Sequence, residues 1–370
     1  VISKKLLLAL TCSAVLATGV AACGSDDSSS SSSDSGTSTG GSSAATGLSG
    51  EIAGAGASSQ EAAMEAWIAG VQADSPDASI AYDPVGSGGG REQFNAGGVV
   101  FAGTDSPFAD EELAAAKKRC APGDFIQVPV YISPIAVAFN LEGVDSLQLS
   151  PDVIAGIFAQ KITKWNDPAI AKDNPDVDLP DTDITPVNRS DDSGTTDNFT
   201  QYMSATAPDV WTDPSDDTWP INGGEAADGT SGVVEAIGAG DGTIGYADES
   251  QVGDLSVAKI QVGKEWVDPT PEGAAALVEQ AKDTDPSDSV FSFELNRTTT
   301  DTSQYPITLV SSQAACSQYD DADEAALVKA LLTYIVSPEG QQAAAKNAGS
   351  APLSDALTKQ VQPVVDSIQG

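Results

Sequence analysis

Residues 186–199 read Pro-Val-Asn-Arg-Ser-Asp-Asp-Ser-Gly-Thr-Thr-Asp-Asn-Phe, and the reading of this stretch decides the rest of the chain. An apolar, strand-like run from Ile184 to Val187 leads into Arg189, and a Ser-Gly-Thr-Thr turn then opens onto an amphipathic segment. Ser193 is placed to cap the following helix, because its hydroxyl can accept a bond from an early backbone N–H. The first N–H groups of a helix have no partner within it and sit at the positive end of its dipole. Arg189 adds a planar fork of donors, so the stretch has the parts of an oxyanion clamp. A capped surface helix that merely follows an arginine is the plainer alternative.

Working outward, the same design occurs twice more. Glu51 to Ala53 reads as a strand, and Gly54-Ala-Gly-Ala-Ser-Ser59 turns from it into a segment where Met64, Trp67, Ile68 and Val71 recur at helical spacing. Ser58 with Glu61 has the form of a capping box. Ser79 to Val85 is a strand running into the turn Gly86 to Gly90, which opens another helix containing Arg91. Three strand–turn–helix starts in one chain suggest backbone and hydroxyl donors converging on a small oxyanion. None of them is a nucleotide motif, since no Gly-Lys-Ser/Thr ending follows and the third glycine of the dinucleotide fingerprint is missing.

Further strands are expected at Val99 to Ala102, Val128 to Asn140, Ile184 to Asn188, Gly242 to Ala247 and Tyr305 to Val310. Helices are expected at Ala109 to Arg119, from a Ser150 cap through Phe158, and at Gly232 to Ile237, Pro271 to Lys282, Ala322 to Ile335 and Glu339 to Ala345. Alternating strands and helices imply an α/β architecture with sites at the carboxyl ends of strands. The acidic run from Asp173 to Asp183 lacks calcium-loop spacing and reads as a solvated loop.

Composition narrows the function. The chain has 370 residues, 17 Lys and Arg against 54 Asp and Glu, and a formal charge of −37, which argues against nucleic acid or an anionic membrane surface as partner. An anion held by such a chain must be won by short-range donors in a closed cleft, because the far field repels it. There is no histidine, which excludes a Ser-His-Asp triad and His-ligated zinc. No metal cluster and no cofactor are expected.

Residues 1–22 have a basic start (Lys4, Lys5), an apolar run from Leu6 to Val20 and small residues before a cysteine, the pattern of a secretory signal. Val20-Ala-Ala-Cys23 resembles a bacterial lipobox, with Cys23 as the lipidated residue. Residues 23–49 are then a Ser/Gly-rich tether too polar to bury a core. The remainder, from Gly50 onward, exceeds one typical domain of roughly 100–200 residues, and two are expected. Cys120 and Cys316 are left, and in an exported protein they are expected to pair, with two buried free thiols as the alternative.

Taken in order, GAGASS, VGSGGG, FAGTDSPF, the Arg189-to-SGTT segment, GTIGYA and YPI look like the periplasmic phosphate-binding lipoprotein of the Pst ABC importer, over essentially everything after the tether. That resemblance implies a two-lobed α/β fold of the periplasmic-binding type, closing on phosphate about a hinge of two chain crossings. Lobe one would comprise residues 50–131 and 305–370, and lobe two residues 132–304, so Cys120 and Cys316 would share a lobe. It implies phosphate contacts from Ser58, Ser59, Ser87, Asp105, Arg189, Ser193, Gly194 and Thr195, with Asp191 orienting Arg189. Many relatives carry a threonine and an aromatic at the first turn, so Ser59 is a departure. It also implies a monomer tethered by its lipid outside the membrane, handing phosphate to the permease subunits of the importer, with no chemistry of its own.

Asp105 distinguishes the readings. A buried carboxylate suits an anion that still carries a proton, whereas fully ionised sulfate would leave two acceptors facing each other. An N-cap for a helix near Pro107 is its alternative role. The competing functions are a receptor for another tetrahedral oxyanion, a phosphate-ester hydrolase built on the same clamp, and a surface adhesin with a vestigial site. Arg91 has no assigned role at this level.

Overall fold

The computed structural model describes residues 47–284 and 289–370; the expected signal sequence, Cys23 and nearly all of the tether lie outside them. The organising element is the strand Phe125–Asn140, which is buried along nearly its whole length. It is long enough, at about 3.3 Å per residue, to serve two sheets in succession. Numbered along the main sheet, the strands are β1 (Ser49–Gly56), β2 (Asp77–Asp83), β3 (Phe101–Thr104), β4 (Phe125–Asn140), β5 (Thr185–Arg189), β6 (Glu225–Ala227), β7 (Thr243–Asp248), β8 (Ser256–Val257) and β9 (Thr308–Cys316). Their order is β2-β1-β3-β9-β4-β7-β5-β6, with β8 pairing β4 off this path.

Two prolines in β4 mark where its pairing changes. Residues 125–134 pair antiparallel with β9, and residues 135–140 pair antiparallel with β7. Pro134 stands at the handover, with Thr308 as its partner on one side, while Ile135 opposite Asp248 begins the other. Pro129 stands beside a bulge, where the register jumps from Ser311–Tyr131 to Ser312–Pro129. Proline has no N–H for a ladder, so a central strand tolerates it at such irregularities. The two halves of this sheet are termed the first and second lobe, and β4 runs through both.

In the first lobe β1 pairs parallel with β2 and β3, and the helices Glu61–Asp74, Ala322–Val336 and Pro338–Ala348 cover the sheet. Trp67 is fully buried there and donates through its indole N–H to the Gly340 carbonyl at 2.8 Å. Cys120 and Cys316 form a disulfide within this lobe. In the second lobe β5 pairs parallel with β7 and β6. One face packs Val233 and Ile237 of the helix Gly229–Ala239 on Val187, Ala136 and Ala138. On the other face Phe199 stacks on Tyr246, and Phe158 and Trp219 meet the same tyrosine edge-on and stacked.

Several local expectations are corrected. Ser58 and Glu61 form no capping box, because residues 58–60 make a short 3-10 turn and the Ser58 hydroxyl is engaged elsewhere. Ser150 precedes a proline-started helix without capping it. Instead its N–H donates to the Asp173 carboxylate, and the buried Asn174 side chain ties to Gln148, so the acidic run begins as structure rather than solvated loop. The helix expected to reach Lys282 ends at Val278, after which Lys282–Asp283 pairs with Phe293–Glu294. The helix Asp355–Asp366 and the three-stranded sheet of Gln148–Leu149, Lys259–Val262 and Glu265–Val267 had no counterpart in the sequence reading.

Candidate functional site

The three turns follow β1, β2 and β5 and converge there with Asp105, which follows β3. Beyond β5, Arg189 points its guanidinium back to Asp191: Nε donates to Oδ1 at 2.7 Å, and Nη2 donates to Oδ2. The Gly229 N–H donates to the same Oδ1 at 3.1 Å. Burial works to raise the Asp191 pKa, but the hydrogen bonds and charge of Arg189 outweigh it and hold the carboxylate below its usual range. Arg189 is only 3% exposed, so its fork is fixed before any ligand arrives.

Tyr246, in the GTIGYA motif on β7, props this turn. Its hydroxyl accepts from the Arg189 N–H at 3.3 Å and is bonded to the Thr196 hydroxyl at 2.7 Å. Ser193 caps the helix Gly194–Thr206 by accepting from the Thr196 N–H, as the sequence led one to expect. The hydroxyl of Thr195 is buried and makes no hydrogen bond within the described residues.

The facing wall is built around Asp105, at the end of β3. It caps no helix; the next one starts at Asp110 behind Ala109. Its carboxylate instead accepts from the Ser59 hydroxyl at 2.8 and 2.9 Å and from the Ser311 hydroxyl. Burial raises the Asp105 pKa, against the opposing pull of those two hydroxyls and of Arg189. Ser87 accepts from the Asp105 N–H at 3.1 Å. Ser58 is bonded to the Thr230 hydroxyl at 2.9 Å and accepts from its N–H at 3.1 Å, an engagement between the first turn and the helix after β6.

The walls are in contact. A Cβ on Gly194 would lie 2.6 Å from the Asp105 Cβ and 2.7 Å from the Ser87 hydroxyl, so only glycine fits between them. Gly86 adopts φ +86 and lies where a Cβ would be 2.3 Å from the Asp191 carboxylate. The Gly88 N–H reaches across to the Asp192 carbonyl at 3.0 Å. Arg91, unassigned from sequence, spans the same gap: Nε donates to Glu112 at 2.9 Å and Nη2 to Asp217 at 2.5 Å.

Ser58, Ser59, Ser87, Asp105, Arg189, Asp191, Ser193, Gly194 and Thr195 are thus gathered in one place. Ser311, Thr230 and Tyr246 were missed as members. Ser311 comes to Asp105 from β9, beside the irregularity in its pairing with β4, and that meeting is set by strand register rather than by any local motif. Tyr246 was within a motif already quoted, and its position two residues before the end of β7 was the available hint. Among the described residues no group of three or more His, Cys, Asp or Glu could hold a metal ion.

The PBP superfamily domain matches residues 35–339. Over 365 residues the chain is 32% identical to phosphate-binding protein PstS 3 of Mycobacterium leprae, covering 96% of this chain and 97% of that one. The chain is a PstS-like substrate-binding protein of the PBP superfamily. A second relative, phosphate-binding protein PstS of Xylella fastidiosa, is 32% identical over 360 residues, 95% of this chain and 94% of its own. The PstS-like fold is also similar to the solved structure of PfluDING, a high-affinity periplasmic phosphate-binding protein bound with phosphate, with TM-score 0.70 and 25% identity over 85% of this chain and 93% of that one.

Proposed function

We propose that this protein captures inorganic phosphate between its two lobes and delivers it to an ABC importer. The observation that carries this reading is the pairing of opposite chemistries in one closed site. A fixed Arg189 fork faces a buried, hydroxyl-fed Asp105 across a gap only glycine can fill. Arg189 and the free N–H groups of the helix from Gly194 suit ionised oxygens. Asp105 suits the proton that hydrogen phosphate and dihydrogen phosphate retain and sulfate lacks. In a buried site that mismatch can be worth about 10⁴–10⁵ in discrimination. The phosphate named in the relatives' descriptions supports the same ligand.

On this reading Ser58, Ser59, Ser87 and Asp105 hold phosphate from lobe one, and Arg189, Ser193, Gly194 and Thr195 hold it from lobe two. Lobe one comprises residues 50–131 and 305–370 and lobe two residues 132–304, with the segment at Val290 and Phe291 packed back on Gln127 of β4. The protein acts as a monomeric receptor without catalytic chemistry, held outside the cell membrane by a lipid on Cys23. No helix of the described residues is long and apolar enough to cross a membrane.

The decisive experiment is calorimetric titration of the protein, stripped of bound ligand, with phosphate and then with sulfate. One-to-one phosphate binding without sulfate heat is expected. Sulfate binding as tightly as phosphate would favour a general oxyanion receptor, and no heat from either would overturn the reading.

A further inference from the structure

Directly behind the clamp lies a polar link that none of the three turns contains. Asn198 sits one turn into the helix that starts at Gly194. Its side-chain Nδ2 donates to the Gly194 carbonyl and to the Asp105 carbonyl, each at 2.9 Å. The first acceptor belongs to the second lobe and the other to the first. Its Oδ1 accepts from Arg297 Nη2, and Arg297 Nη1 donates to the carbonyls of Pro306 and Thr308 at 2.9 and 2.6 Å. Those two carbonyls sit where the chain re-enters β9, beside the handover at Pro134.

The chemistry of Arg297 fixes which way the amide points. A guanidinium has no acceptor, so it can face only Oδ1, and the two hydrogens on Nδ2 are left for the two carbonyls. Arg297 is 6% exposed and forms no ion pair among the described residues. Burial lowers its pKa to about 10, which leaves it charged at neutral pH. An unpaired buried charge is costly to keep, so a purely space-filling role would be better served by an apolar side chain.

We propose that Asn198, oriented by Arg297, is a positioning residue that ties the Asp105 turn to the Gly194 turn and thereby slows release of phosphate from the closed cleft. This rests on the phosphate reading above. The amide can hold both carbonyls only while the two turns are together, so it stabilises the closed form and not the open one. An interaction made in one state alone shifts the equilibrium toward that state. The ligand then inherits the difference as affinity.

The test uses the full-length protein with radiolabelled inorganic phosphate, chased by unlabelled phosphate. Asn198→Asp keeps the size and the partner of Arg297 but turns a carboxylate toward two carbonyl oxygens. Asn198→Ala removes both contacts without adding charge. Each should release phosphate about ten-fold faster than the parent, the change expected for one lost buried hydrogen bond or more. The melting temperature of Asn198→Asp should stay near that of the parent, because its pairing with Arg297 is retained. A merely structural role would move the melting temperature and leave the release rate alone. Release within about two-fold of the parent in both variants would overturn the inference. A parent that fails to bind phosphate would instead overturn the reading of the site itself.

Discussion

The two walls of the cleft solve opposite problems with opposite means. On the second lobe Arg189 is charged, and a neighbouring carboxylate, Asp191, satisfies and aims it. On the first lobe Asp105 has no cation at ion-pairing distance among the described residues, and two hydroxyls feed it, one from the short 3-10 turn at Ser59 and one from β9 at Ser311. Burial raises the Asp105 pKa, while at Asp191 burial is outweighed by the combined hydrogen bonds and charge of Arg189 and the Gly229 N–H, and its pKa is lowered. On the proposed reading this is a division of labour: one wall would supply charge and orientation, and the other an acceptor that asks the ligand for a proton.

That division can be broken most severely at Arg189. Arg189→Ala leaves Asp191 buried without its fork and removes the charged contact, and phosphate affinity should fall by about a thousandfold, the scale of a truncated buried charge pair. Calorimetry reads this directly, and retained submicromolar affinity would contradict it. Asp105→Asn should sharpen the comparison instead. Phosphate should weaken by about a hundredfold while sulfate gains, because an amide can donate to the oxygen that the carboxylate repels. A variant that still refuses sulfate would remove Asp105 from the selection.

A further effect, on stability rather than on binding, is expected where the lobes join. Asp248 lies at the end of β7, opposite the first residue of β4 after the handover. Burial raises its pKa to about 7, against the hydroxyls of Ser250, Ser133 and Tyr131 that face it. Between its ordinary value of 3.8 and about 7 the folded protein holds a proton that the unfolded chain has lost. Its contribution to stability is therefore complete below about pH 4 and lost as pH rises through about 7. Denaturant unfolding should find the parent losing stability relative to Asp248→Asn between about pH 4.5 and about pH 8. An unchanged gap would show that Asp248 carries no extra proton in the fold.

Much of the second wall was legible in the sequence because its parts are contiguous. Arg189, Asp191, Ser193, Gly194 and Thr195 lie within one turn; local rules are enough to read the Ser193 helix start and the Arg189 donors, while the pairing of Asp191 with Arg189 came from the resemblance. The first wall was legible only in pieces. Ser59, Ser87 and Asp105 each end or follow a different strand, and the resemblance in motif order, rather than any spacing rule, brought them together. Arg91 was visible as a cation, but its partner Asp217 lies in a loop that no periodicity describes.

What the linear order settled was the chemistry on offer: an α/β chain without histidine, strongly acidic, with three glycine-rich helix starts and a lone arginine before one of them. These are properties of composition and of neighbours within a turn or two, which local sterics and hydrogen bonding decide. Tertiary structure alone decided that Ser311 reaches Asp105, that Asn198 links both turns, and that Tyr246 props Arg189. Each depends on strand register or a side-chain rotamer shared between segments up to 206 residues apart. Such contacts are set by how the two half-sheets meet along β4, a global packing outcome that no local stretch encodes.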